Sequence, residues 1–146
     1  MGTARYLEPT YLEPTWDAGR AFARRAIAGE LVMLNLLRFR EIADYSESPE
    51  LAPRQPITGA EAYDRYVART LPHLRKSGGD ILFMGDGGPF LIGPEGERWD
   101  RAMLIRQKSR GAFLAFAVAE AYLAGIGHRT AALSDSRLLP LVELPR

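Results

Sequence analysis

The chain contains no cysteine, which excludes disulfides, thiolate metal sites, iron–sulfur clusters and a cysteine nucleophile. It has only two histidines, His73 and His128, and neither HExxH nor facial-triad spacing occurs, so no metal site is expected. No apolar run approaches the roughly 18 residues needed to span a bilayer. The N-terminal region carries Glu8 and Glu13 without the apolar core of a secretory signal, and a cytoplasmic location is the expectation. Charge of one sign is also missing. Nineteen Lys and Arg face 18 Asp and Glu, and no basic run reaches the density of a nucleic-acid-binding stripe. No serine stands in a GxSxG elbow, and no spacing of acidic residues singles out a catalytic pair.

What is present suits one folded unit. The 146 residues, 47% of them hydrophobic and 25% charged, are enough to close around one core and leave no room for a second. The chain opens on a direct duplication, Tyr6-Leu-Glu-Pro-Thr10 and Tyr11-Leu-Glu-Pro-Thr15. In the second copy Thr15 is placed to cap a helix over 16–28, with Phe22, Ala23, Ala26 and Ile27 on one face and Gly29 as its stop. The stretch 31–39 (LVMLNLLRF) is almost continuously apolar, as in a central strand covered on both sides. Alternation sets Met33, Asn35, Leu37 and Phe39 against Val32, Leu34, Leu36 and Arg38.

After a polar, proline-bearing loop, helical spacing runs from Gly59 to Ser77, with Pro72 predicting a kink or break near Thr70. Strand material follows at 80–85 and 89–92, separated by a hairpin turn at Gly85-Asp-Gly-Gly88, and again at 99–107. Ser109 caps a third helix with Phe113 and Phe116 inward. A helical or turn segment at 120–133, interrupted by Gly125 and Gly127, precedes a last strand at 138–144.

The order after the N-terminal helix is strand, helix, two strands, helix, strand. This predicts an α+β protein, a ferredoxin-like βαββαβ antiparallel sheet with both helices on one face. Right-handed crossovers place the 31–39 strand between the 99–107 strand and the final one. Residues 1–29 form an extension and helix, and residues 30–146 the ferredoxin-like domain. The second sheet face then needs a cover. Within one copy only the N-terminal helix is available, so sheet-on-sheet pairing with a second copy, a homodimer, is expected.

Met33-Leu-Asn-Leu-Leu-Arg-Phe39, Ala43-Asp-Tyr45, Gly59-Ala-Glu-Ala-Tyr-Asp-Arg-Tyr66, Trp99-Asp100, Ser109-Arg110 with Ala112-Phe113, and above all 128–138 (HRTAALSDSRL) together resemble the DUF1330 family. That resemblance covers roughly residues 30 to 140. It implies the dimeric α+β barrel superfamily and a homodimer, with no defined activity to transfer. The family's usual Tyr-Pro-Ser before the last helix is replaced here by Gln107-Lys108-Ser109.

Several side chains carry potential chemistry. Asn35, an amide within an apolar strand, either satisfies a structural hydrogen bond or orients a substrate carbonyl from a cleft. Paired with Trp99 it is loosely similar to the strand-borne Asn and Trp of cofactor-free monooxygenases and haem-degrading enzymes in the wider superfamily. Arg38 and Arg106 sit on strands expected to be neighbours. They either hold a carboxylate jointly or pair with Asp100, Asp44 or Glu41. Tyr63 and Tyr66, three apart on one helix, pack in the core or line a pocket with a phenol. His128 with Asp135 forms either an oriented general base or a structural network. Arg129 and Asp135 are counted with Arg38, Tyr63, Tyr66, Trp99 and Arg106 as ligand-binding candidates, and Asn35 and His128 as catalytic ones.

The functional expectation is a cofactor-independent small-molecule enzyme, monooxygenase- or isomerase-like, with a pocket between sheet and helices for an aromatic or carboxylate ligand. The alternatives are a non-catalytic ligand-binding or structural homodimer and, third, a haem-binding protein. No other cofactor, nucleic acid or membrane partner is implied.

Overall fold

The computed structural model describes residues 9–146. Helix α1 (Trp16–Arg24) is followed by β1 (Leu31–Phe39), a 3-10 turn at Pro49–Leu51, α2 (Gly59–Lys76), β2 (Asp80–Pro89) and β3 (Arg98–Gln107). Then come α3 (Arg110–Ala117), the short α4 (Glu120–Leu123), α5 (Ile126–Ala132) and β4 (Leu133–Leu141). The four strands form one antiparallel sheet in the order β2-β3-β1-β4. This is the ferredoxin-like α+β arrangement expected from the order of elements, with β1 between β3 and β4. Among the described residues no single helix is long and apolar enough to cross a membrane.

Alternation along β1 decides the layers. Leu31, Met33, Asn35 and Leu37 are buried, whereas Val32, Leu34, Leu36 and Arg38 are only half-buried. Leu37 joins Tyr63 and Ala62 of α2, Met103 of β3, and Ala131, Ala132 and Leu133 in a single core, which places α2 and α5 on the odd-numbered face. The opposite, open face carries Val32, Leu34, Leu36 and, by register, Leu104 of β3, Phe83 of β2 and Leu139 of β4.

Helix α2 is launched by a capping box. Thr58 accepts from the Glu61 amide while the Glu61 carboxylate accepts from the Thr58 amide, satisfying two of the N–H groups a helix start leaves open. Its first residue must be glycine. A Cβ at Gly59 would lie 2.2 Å from the Arg40 carbonyl oxygen and 2.6 Å from that of Ala132. The expected break at Pro72 is absent, and the helix runs on to Lys76 with Pro72 exposed on its outer side.

Three other expectations are corrected. Helix α1 stops at Arg24, because Arg25 turns to an extended conformation (ψ 134°) before Gly29 is reached. The Gly85-Asp-Gly-Gly88 stretch is not a hairpin turn. It lies inside the edge strand β2, and a Cβ at Gly87 would meet the Trp99 carbonyl oxygen at 2.4 Å, so the glycine marks a close approach between strands. The hairpin turn falls instead at 90–97. Strand β4 begins at Leu133, five residues earlier than expected, because α5 runs straight into it.

Finally, α1 does not cover the open face. Phe22 meets Phe113 of α3 edge-on at 5.6 Å, and the Arg110 guanidinium donates to the Arg25 carbonyl. Phe116 continues through Tyr122 to Tyr66 of α2, so α1 belongs to the helical layer, and among the described residues no helix covers the open face.

Candidate functional site

The extra polar chemistry of the open face gathers at one end of the sheet, where β1 leaves its regular register. A shift between Arg38 and Phe39 lets Arg38 pair with Asp135 and Phe39 with Leu133. The side chains of Arg38, Trp99, Asp135 and Arg137 meet there. The Arg38 guanidinium lies 4.4 Å from the Trp99 ring centroid and that of Arg137 lies 5.0 Å from it, positions in which the ring's electron-rich face attracts a cation.

Asp135 is 3% exposed and acts as the acceptor hub. Its Oδ1 accepts from Arg137 Nη1 at 2.7 Å, the Tyr11 amide at 2.9 Å and its neighbour Ser136 at 2.8 Å, while Oδ2 accepts from Arg38 Nη1 at 3.4 Å. Arg38 is further fixed by donating Nε and Nη2 to the Arg98 carbonyl. Trp99 donates its indole N–H to Glu97. Two guanidinium groups therefore share one buried carboxylate.

Beside it, Leu36, Gly88, Leu91, Trp99, Arg101 and Ala102 line an open depression of about 360 Å³ on the sheet face. Its walls are apolar apart from Arg101, which donates to Asp64 at 2.8 Å from the other side of the sheet. The space between sheet and helices, where a pocket was expected, is filled around Leu37, Tyr63, Met103 and Leu133.

The remaining candidates lie in the core. Asn35 is 8% exposed and donates to the Met33 carbonyl at 3.2 Å. It faces the helices, opposite Met103 and Leu138, and is thus separated from Trp99 by the sheet. His128 does not meet Asp135. Its Nδ1 is 2.8 Å from the Tyr45 hydroxyl, with the two rings edge-on. Burial, aided by the charges of Arg69 and Arg65, pushes the imidazole below its ordinary pKa, which favours the neutral ring at neutral pH. Burial raises the Tyr63 phenol to about 12 and lifts Tyr66 well above its ordinary value, so both are protonated. Tyr66 and Tyr122 share a hydrogen bond of 2.9 Å.

Arg106 does not act with Arg38. It stands opposite Val32 and Asp80, near Glu30 at 3.9 Å, six positions along β1 from Arg38 and hence roughly 20 Å away. Nor does Arg38 take Asp100, Asp44 or Glu41 as partner. Asp100 accepts from the Phe39 amide and pairs with Arg98. Arg129 donates to the Leu12 carbonyl and to Ser136, tying α5 to the N-terminal segment.

Sequence reasoning did not assign roles to Arg137, Tyr45 or Tyr11. The first two stand in the motif segments that carry the family resemblance, and Tyr11 stands in the duplication, which were the available signals.

No family model matches the chain, and no curated protein matches it. Among solved structures it is similar to the RPA0582 protein of Rhodopseudomonas palustris, described as of unknown function. Identity is 32%, with 94% of this chain and 100% of that one covered at a TM-score of 0.83. A methylated form of the RPA0582 protein aligns at 32% identity over 93% and 96% of the two chains, TM-score 0.82. A dimeric ferredoxin-like protein of unknown function from Thermobifida fusca aligns at 13% identity over 82% and 96%, with a TM-score of 0.47, too distant to transfer any property.

Proposed function

We propose that this chain, which belongs to the family of the Rhodopseudomonas palustris RPA0582 protein, works as a homodimer that stacks its two open sheet faces and encloses a small aromatic carboxylate at the Trp99 end. The observation that carries this reading is the apolar face that none of the described helices covers. Phe83 is 57% and Leu139 53% exposed, and on the neighbouring hairpin Leu91 and Ile92 are 100% and 90% exposed. With the half-buried leucines of β1 and β3, the face and hairpin leave on the order of 700 Å² of apolar surface in water. That exceeds the largest patch of a typical monomer and approaches the roughly 800 Å² one partner gives to a standard interface.

Burying this face turns the open depression into an enclosed one. Its apolar walls suit a ring, and Arg38 and Arg137, both lying over the Trp99 ring, supply the cationic side for a carboxylate. Membership of DUF1330 is part of the same proposal and rests on the motif residues from Met33 to Leu138. Titration with benzoate followed by tryptophan fluorescence tests the site. Saturable quenching in the wild type and none in Ala102→Tyr, which fills the depression, is the expected result. A linear response in both proteins refutes it.

A second reading, the cofactor-independent enzyme, is favoured by one observation, the buried Tyr45–His128 hydrogen bond, which fixes an imidazole beside a phenol. Oxygen uptake or isomerisation with quinols and lactones tests it. Turnover that survives intact in an Asn35→Ala, His128→Ala variant removes both residues from any mechanism.

A further inference from the structure

The helical layer holds a second group of polar side chains, where α2 and α5 meet the residue that opens the 3-10 turn, Ser48. Arg65 and Arg69 stand one helical turn apart on the exposed side of α2, and neither forms an ion pair or a hydrogen bond among the described residues. Like charges at this spacing repel. Arg69 is nevertheless drawn onto the start of α5. A Cβ at Gly125 would lie 2.9 Å from Arg69 Cδ and 3.2 Å from its Nε, so the glycine lets the guanidinium settle against the chain three residues before His128. A Cβ at Gly127 would likewise meet Ser48 Oγ at 2.5 Å, and that hydroxyl has no hydrogen-bond partner among the described residues. His128 completes the group. Its ring is 7% exposed and its Nδ1 meets the Tyr45 hydroxyl, but Nε2 has no partner among the described residues and is not sealed from solvent. After burial, the charges that act on this ring are those of Arg69 and Arg65. Glu61, one turn before Arg65, has its carboxylate accepting from the Thr58 amide and forms no ion pair with either arginine.

We propose that Arg65, Arg69, the Ser48 hydroxyl and the His128 Nε2–H form a binding site for a phosphate monoester dianion. Two cations without ion-pair partners match its charge, and the hydroxyl and the imidazole add donors for its terminal oxygens. A carboxylate brings a single charge and would leave one arginine unpaired. In this arrangement the Tyr45 hydroxyl donates to Nδ1, which sets the ring proton on Nε2. The buried Tyr45–His128 pair thereby acquires a role that the fold alone does not require, holding one donor at a fixed angle toward the two arginines. The site belongs to the helical layer, across the sheet from the Trp99 depression. It is therefore independent of the aromatic carboxylate reading and stays accessible when two open faces stack.

The test titrates the full chain with methyl phosphate, largely a dianion at neutral pH, and follows the His128 ring nitrogens by NMR, with acetate at equal ionic strength as the comparison. The wild type should show saturable shifts with methyl phosphate only, and the bound ring should carry a proton on Nε2. Arg65→Gln and Arg69→Gln should each weaken binding roughly tenfold or more, the loss of one charge-assisted contact, and the double variant should not saturate. Both side chains are exposed, so these variants should keep the wild-type urea midpoint or exceed it as the like-charge repulsion is relieved. Arg98→Gln, which removes an exposed arginine of β3 paired with Asp100, should bind as the wild type does. The proposal is overturned by shifts that stay linear, by a response that acetate reproduces, by a bound ring protonated on Nδ1 alone, or by an Arg65→Gln, Arg69→Gln variant that binds as tightly as the wild type.

Discussion

Replacing Asp135 with alanine removes the acceptor on which the open-face cluster depends. The substitution leaves the Arg137 and Arg38 guanidinium groups and the Tyr11 amide without their carboxylate. Breaking a wholly buried charge pair costs about 3–5 kcal/mol. Here the carboxylate is 4% exposed but its arginine partners are 33% and 43% exposed, so water reaches the freed cations and reduces the loss to about 2–3 kcal/mol. For a chain of this length that corresponds to a drop of roughly 6–10 °C in melting temperature. Thermal and urea unfolding at one fixed protein concentration measure it, since a folding equilibrium linked to association shifts with concentration. Asp64→Ala is the control. It also loses a 2.8 Å bond to an arginine, Arg101, but its side chain is 61% exposed, and the expected cost is below about 1 kcal/mol. An Asp135→Ala variant no less stable than Asp64→Ala would refute the view of Asp135 as the hub.

The Tyr45–His128 pair gives a pH prediction. The folded His128 pKa lies below its ordinary 6.5, so the unfolded chain binds the proton more readily. The stabilisation is complete above about 6.5 and is lost as pH falls from there through the folded value. A His128→Phe variant should lack this part of the pH dependence, and an unchanged profile by urea titration would contradict it. Tyr45→Phe leaves the His128 Nδ1 without its 2.8 Å partner and should cost about 1–2 kcal/mol by the same unfolding assay. Gly59→Ala drives a Cβ into two backbone carbonyls. A loss of about 3 kcal/mol or failure to fold is expected, against the few tenths' gain that alanine brings to an unobstructed helix position.

The architecture was legible because β1 carries two signals at once. LVMLNLLRF is too short for a buried helix of ordinary length and too apolar for an edge strand, and the order of elements then allows few sheets. Two of the boundaries that failed did so where glycine serves packing rather than turning. Gly87 sits inside β2 because of the Trp99 carbonyl, and a Cβ at Gly127 would strike Ser48 at 2.5 Å, which a single sequence does not reveal.

The candidate site was legible in its members and not in their pairing. Arg38, Trp99 and Asp135 were all singled out, yet Arg38 was matched with Arg106 and Asp135 with His128. Pairing depends on register, and an antiparallel slip moves Arg106 opposite Val32 while bringing Arg137 opposite Leu36. Alternation fixes which face a side chain occupies but not its place along the strand.

The open face is the point on which the functional account stands. Sedimentation equilibrium at micromolar concentration, on the wild type and on a Leu34→Glu, Leu139→Glu variant, tests it most directly. The account predicts a wild-type particle of twice the 16.2 kDa chain mass and a folded, monomeric variant. A wild type that sediments at the mass of one chain, or a variant that stays dimeric, would contradict it.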